Sequence, residues 1–284
     1  MRMEFTDTVL RKLLQEGTVT PPDSFVAVCA GVRDRDLFVR CGFHDVLITN
    51  INENDASDES APFEWSRQDA QQLDLDDGSF EFAFVADGLH HCSSPHRALL
   101  EMYRVASKGI IVIESRDSML MRAANRLGLS PMYEVEAVVG SDFSRGGVNN
   151  SDVPNYIYRW TEADFTKALR AFDPRGRHTF RFFYGLNLPY ELAGWKKSNV
   201  KLKVIKTADP VLRGVTRVFK KQCNTMAMVA LKPRIPEDLW PWLKVDNGGI
   251  AFAREYAGQH FKEIEGSGLA ARPREETEER VKSS

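Results

Sequence analysis

Two short runs with almost no polar residues, Phe80–Ala86 and Ile110–Ile113, constrain this chain more than any other feature. A strand with one wet face alternates apolar and polar residues. These runs do not, so each reads as a parallel strand covered on both faces. Between them Pro95 opens a helix whose apolar positions Leu99, Met102, Tyr103 and Ala106 recur at helical spacing, and Lys108-Gly109 is expected to end it. Two parallel strands joined by a helix leave a crevice at their carboxyl ends, where open α/β sheets bind ligands. The polar residues gather there: Asp87, His90 and His91 after one strand, and Glu114, Arg116 and Asp117 after the other.

The same pattern extends in both directions. Helices are expected over Phe5–Gln15 and Arg35–Arg40, and strands over Phe25–Ala30, Asp45–Thr49 and Phe63–Ser66. The polar stretch Asn52–Ser60 reads as a surface loop over the site. Beyond Asp117, Met119–Leu127 reads as a helix, and Thr161 caps another that runs through Arg170. Phe180–Tyr184 and Thr225–Leu231 have strand composition and suit an antiparallel closing pair. The expected fold is therefore α/β: a Rossmann-like, doubly wound, seven-stranded sheet, mostly parallel, with a C-terminal antiparallel pair. Residues 1–24 form an N-terminal helix and linker, and 25–235 the main domain with a lid-like segment at 140–160 and a basic insertion at 195–221. Residues 236–284 form a C-terminal extension, expected to be disordered from about residue 266.

A chain of 284 residues can bury a full α/β core, and its formal charge of −2 gives no overall pull toward nucleic acid. The four cysteines, Cys29, Cys41, Cys92 and Cys223, lack paired spacing, so reduced thiols and the cytoplasm are expected. No apolar run approaches the roughly 18–20 residues that span a bilayer, and the amino terminus lacks the pattern of a signal peptide.

The blocks Val28-Cys29-Ala30-Gly31-Val32-Arg33-Asp34, Asp87-Gly88-Leu89-His90-His91 and Ser94-Pro95-His96-Arg97-Ala98-Leu99-Leu100-Glu101-Met102-Tyr103-Arg104-Val105 occur in that order. Together they resemble the class I S-adenosylmethionine-dependent methyltransferases, of the type 11 domain group, from about Phe25 to Ser118. Within that superfamily the chain looks most like a bacterial group associated with glycan and envelope biosynthesis. A weaker similarity continues through Pro154–Glu162 toward Lys232-Pro233.

The resemblance implies S-adenosylmethionine as cofactor and a methyl acceptor that is a small molecule or glycan, most plausibly methylated at oxygen. The cofactor would meet Cys29, Ala30 and Gly31 in the first turn, Asn50 and Ile51 after the second strand, Asp69 and Ala70 after the third, and Asp87 and Gly88 after the fourth. Two departures stand out. The first turn keeps only Gly31, with Arg33 where a glycine is common. Asn50 stands where an acid usually binds the ribose diol, at the loss of a charge-assisted hydrogen bond of roughly 1.5–3 kcal/mol. Asp69 alternatively caps the turn that follows it. His91, with His90 beside it, is the expected base. Glu114, Arg116, Tyr158 and Arg159 are expected to face the acceptor, with capping or salt-bridging as the competing role for the charged ones.

Cys92 and His96 beside the two histidines match no zinc spacing, so no metal is expected. A nicotinamide-dependent oxidoreductase is disfavoured because Gly-x-Gly-x-x-Gly is absent. A binding module that no longer catalyses is the alternative in another class. The insertion Trp195–Lys221 interleaves nine cations with apolar residues against the single acid Asp209. It reads either as a solvated connector or as a peripheral contact with an anionic membrane surface at the inner face or with a phosphate-bearing glycolipid acceptor. Nucleic acid is the weakest option, because aromatic stacking residues are sparse.

Overall fold

The computed structural model describes residues 2–52, 60–188 and 198–261. In chain order the elements of the first compact unit are α1 (Arg2–Gln15), β1 (Phe25–Ala27), α2 (Val32–Cys41), β2 (Val46–Asn50), β3 (Glu64–Arg67), β4 (Phe80–Ala86), α3 (Pro95–Val105) and β5 (Ala106–Ser115). They continue with α4 (Met119–Arg126), α5 (Val135–Gly140), α6 (Glu162–Phe172), β6 (Thr179–Gly185), α7 (Ser198–Val218) and β7 (Thr225–Leu231). The seven strands lie in the order β3-β2-β1-β4-β5-β7-β6. β1 to β5 are parallel to one another, and β7 runs antiparallel to both β5 and β6. This is the doubly wound α/β sheet with a C-terminal antiparallel pair that the sequence implies.

An apolar layer covers each face. On one side Leu99, Met102, Phe165 and Leu169 from α3 and α6 pack on Val26, Val85, Ile110 and Val112. On the other, Leu10, Leu13, Leu37 and Phe38 from α1 and α2 pack on Phe25, Phe84 and Ile111. Phe25 is fully buried, with the rings of Phe38, Phe43 and Phe82 4.7–5.4 Å away. Each such side chain contributes roughly 1.5–3 kcal/mol by leaving water. The N-terminal helix is thus part of the core, tied to α2 by Arg40 and Asp7 at 2.7 Å.

Two boundaries differ from expectation. Gly109 does not end a helix: α3 stops at Val105, the Ala106 N–H bonds to Met102, and β5 begins at once. Its role is close approach, since a Cβ there would stand 2.5 Å from the Ala230 carbonyl of β7. β1 is also shorter than Phe25–Ala30. Past Ala27 the backbone splays, with Val28 N–H bonding to Phe84 of β4 and Ala30 N–H to Thr49 of β2. That divergence opens the carboxyl edge between the two neighbours.

The basic insertion is mostly the 21-residue helix α7, and its first residues lie outside those described. Val204, Val211 and Val218, seven residues apart, and Phe219 beyond them are 45–74% exposed. Lys203, Lys206, Arg213, Arg217, Lys220 and Lys221 are exposed too, and Asp209 pairs with Arg213 at 2.7 Å. No described helix is long and apolar enough to cross a membrane.

A second compact unit combines Arg175–Arg177 with the described residues from Pro233 onward. It holds an antiparallel hairpin, β8 (Leu243–Asp246) with β9 (Gly249–Phe252), and α8 (Arg254–His260). Trp240 and Trp242 stack in it at 5.0 Å. The expectation of disorder from about residue 266 lies outside the described residues, as do residues 53–59 of the stretch expected to form a surface loop.

Candidate functional site

The site is built from the turns that leave β1, β2, β4 and β5 at the carboxyl edge of the sheet. After β1, Cys29 adopts φ 51°, a left-handed conformation that normally favours glycine. Gly31 then caps α2 in extended backbone, and its N–H donates to Asp34 Oδ2 at 3.0 Å. A Cβ built on Gly31 meets no described protein atom within 4 Å. The turn therefore presents bare backbone to open space, as a backbone-held ligand requires. Burial raises the Asp34 carboxyl to about 6; the Gly31 N–H opposes that rise and the nearby Asp87 adds to it.

The turn after β4 fits against this one. Asp87 also has a left-handed φ of 53°, and its N–H bonds to the Ile113 carbonyl at 2.8 Å. Gly88 is the point of contact, because a Cβ there would lie 2.5 Å from Cys29 Cβ and 2.9 Å from Val85 Cγ2. The hydrogen bond to Cys92, and then burial, push the Cys29 thiol well above its ordinary pKa, so it is an inert packing group.

Leu89–His91 form one short helical turn held by Glu114 at the end of β5. Glu114 is fully buried. Its Oε1 accepts from Leu89 N–H at 2.7 Å, and its Oε2 lies 2.8 Å from His90 Nδ1. The other nitrogen of His90, Nε2, is 3.1 Å from Glu134 Oε2, and His91 Nε2 is 3.4 Å from the same oxygen. Burial disfavours charge on His90, but the two carboxylates outweigh it and raise the ring to about 10. Burial, and then the charge on His90, lower His91. Glu134 falls to about 2, its burial overcome by the hydrogen bond and charge of His90. At neutral pH the corner holds an imidazolium clamped between two carboxylates, with a neutral, one-third exposed imidazole beside it.

Several residues expected to face ligands are engaged elsewhere. Asn50 Nδ2 donates to the Ala30 carbonyl at 3.0 Å and its Oδ1 accepts from Asn52 N–H at 3.1 Å, so the amide braces the two turns. Ile51 beside it is half-buried. Asp69 Oδ1 accepts from Gln71 N–H at 2.9 Å, the turn-capping role, and Ala70 is buried. Glu114 cannot reach an acceptor, because both its oxygens point into the protein. Arg116 is pinned by Glu162 at 2.9 Å and by the Lys221 carbonyl. Tyr158 bonds to His96 at 2.9 Å, and Arg159 holds the Pro131 carbonyl at 2.7 Å. Each of these side chains thus has a bracing contact within the protein.

Glu134, Asn149 and Asn155 carry no local signal in the sequence, yet all three close the site. Asn155 is buried, and its Nδ2 donates to the His90 carbonyl at 3.0 Å. Asn149 Oδ1 accepts from Ser93 N–H at 2.9 Å and from Gln71 at 3.1 Å. The lid-like segment is thus hydrogen-bonded onto the turn after β4.

The model of a family described as a methyltransferase domain matches residues 36–113, from α2 to β5. No curated protein matches the chain. Among solved structures it is similar to the magnesium protoporphyrin IX methyltransferase of Synechocystis, determined with S-adenosylhomocysteine bound: 14% identity over 81% of this chain and 83% of that one, TM-score 0.49. It is also similar to the YcgJ protein of Bacillus subtilis (11%, 79% and 98%, 0.48) and to an S-adenosylmethionine-dependent methyltransferase of Thermotoga maritima (15%, 82% and 91%, 0.47).

Two outcomes follow from the packing and charge of this edge. Gly88→Ala should destabilise the protein by about 1–3 kcal/mol through overpacking against Cys29. Gly140→Ala, where an added Cβ meets nothing, should be near neutral; equal melting temperatures for the two variants would contradict the contact. Asp34 keeps its proton up to about pH 6 when folded and releases it near 3.8 when unfolded. Its stabilising contribution is therefore complete below about pH 4 and is lost as pH rises to about 6. The melting temperature of Asp34→Asn should gain on the parent between pH 4 and pH 7, and a constant difference would refute the shift.

Proposed function

We infer that this chain, which has the fold of the class I S-adenosylmethionine-dependent methyltransferases, transfers a methyl group from S-adenosylmethionine to an oxygen of a small-molecule or glycan acceptor. The observation that carries the reading is the juxtaposition at one sheet edge of an open backbone turn at Gly31 and a neutral imidazole at His91, joined through the Cys29–Gly88 contact. The residues fit the cofactor. Gly31 offers space that a side chain would fill. Asp69 has spent Oδ1 on Gln71, which leaves Oδ2 for the adenine amino group.

When bound, S-adenosylmethionine supplies a sulfonium-activated methyl group, and its transfer is an in-line displacement that depends on position. His91 takes the acceptor's hydroxyl proton at Nε2, a contribution of typically ~10²–10⁴-fold. His90, charged and fixed by Glu114 and Glu134, cannot be that base; it positions His91 and keeps it neutral. The inward-turned amide of Asn50 favours a second reading, a binding module without turnover.

Calorimetry and label transfer test both. The parent should bind S-adenosylhomocysteine but not NAD, and Gly31→Leu should abolish that binding with the fold intact. Against a panel of glycan and lipid-linked acceptors, His91→Ala should lose about 10²-fold in methyl transfer while keeping its affinity for S-adenosylhomocysteine. Unchanged affinity in Gly31→Leu removes the site. Affinity without transfer to any acceptor favours the binding module.

The exposed valine stripe of α7 and the six exposed cations of the basic insertion suit peripheral attachment to an anionic bilayer, each cation near the surface adding about 1 kcal/mol. On this reading the protein works in the cytoplasm at the inner face of the membrane, near lipid-linked acceptors. It should sediment with anionic but not zwitterionic vesicles, less so as salt rises. Equal recovery with both lipids would leave α7 a connector.

A further inference from the structure

We propose that His90, His91 and Glu134 form a binding site for an imidazole-seeking divalent cation such as zinc, at the acceptor-facing corner of the cleft. The three residues converge there, each with a ligand atom within 4.8 Å of those of the other two. Metal bonds of 2.0–2.2 Å meeting at right or tetrahedral angles place neighbouring ligand atoms about 2.8–3.6 Å apart. The two separations to Glu134 Oε2, 3.1 and 3.4 Å, fall in that range. Two imidazoles and one carboxylate also leave coordination positions open.

The surroundings are those of metal-binding histidines, whose second nitrogen is held by a protein acceptor that orients the ring. His90 has its Nδ1 against the buried Glu114 carboxylate at 2.8 Å. Asn155 Nδ2 lies 3.4 Å from Glu134 Oε2 and steadies the third ligand. The ligand set, imidazole-rich with one carboxylate, selects zinc over magnesium, which prefers all-oxygen shells.

On binding, the cation replaces the Nε2 proton of His90, which leaves to solvent, and takes the lone pair of His91. Zinc and proton acceptance are then exclusive uses of one nitrogen. That consequence rests on the methyl-transfer reading; the binding itself does not. The test is calorimetric titration of zinc chloride into the full, untagged, chelator-treated chain, with circular dichroism as the check of fold. One zinc per chain is expected, weakened tenfold or more in His91→Ala and in the conservative Glu134→Gln, with no heat from magnesium. Gly31→Leu should keep zinc affinity while losing S-adenosylhomocysteine. No zinc heat, or heat unchanged in both folded ligand variants, overturns the site. S-adenosylhomocysteine binding in the same preparations reports separately on the methyltransferase reading.

Discussion

The ion pairs of His90 with Glu114 and Glu134 hold the functional edge together. Glu114 leaves the last residues of β5 fully buried, and a carboxylate there must be compensated. It is compensated twice, by Leu89 N–H and by His90, so the end of β5 dictates where the turn after β4 lies. Buried ion pairs add little net stability, because desolvation consumes most of the attraction. Removing one partner is costly, since the other is left charged and alone. The arrangement therefore contributes precision of placement more than strength: His90 has one position in which both carboxylates are satisfied.

Glu134 extends that precision to a segment far away in sequence. By reaching His90 from the stretch before α5, it draws residues 133–155 over the turn after β4, where Asn149 and Asn155 add neutral hydrogen bonds to Ser93, Gln71 and the His90 carbonyl. The close fit shows in Gly147, where a Cβ would lie 1.9 Å from the Val153 carbonyl. A composition rich in glycine and asparagine thus makes a compact loop whose polar groups are spent on the site beneath it. His91 owes its environment to this cover. It is partly shielded, next to a fixed positive charge, and within reach of one carboxylate oxygen.

The sheet was legible because burial on both faces removes nearly all polar residues from the centres of β4 and β5, and the runs are too short for a buried helix. Gly109 was misread because a lysine-glycine pair after a helix has two meanings that local sequence cannot separate. One is a left-handed cap; the other is a strand position where a neighbour comes too close for a side chain. Only the partner strand β7, more than a hundred residues on, decides between them. The site was legible in the turns that carry blocks of recognisable order, Cys29–Gly31 and Asp87–His91. It was illegible in Glu134, Asn149 and Asn155, whose contacts span 44, 56 and 65 residues and leave no periodicity behind. Glu114 and Arg116 were placed correctly at the sheet edge, but their direction follows from partners, Leu89 N–H and Glu162, that position alone does not reveal.

The glycine-poor first turn has a physical counterpart across the cleft. A backbone cradle needs room between the turns after β1 and β4, and that room can be made by a missing side chain on either side. Here Cys29 carries a side chain at a left-handed position, and the clearance comes from Gly88, whose absent Cβ would collide with it. Asp87, also left-handed, supplies the bend that brings Gly88 there. Two strained non-glycine residues thus flank one close contact. Such strain persists only where the surroundings over-determine it, here the Asp87 N–H bond to Ile113 on one side and the packing of Cys29 against Cys92 on the other. The glycine of this close contact is thus Gly88, on the turn that faces Cys29. Gly31 follows two residues on, where an added Cβ would meet no described atom within 4 Å.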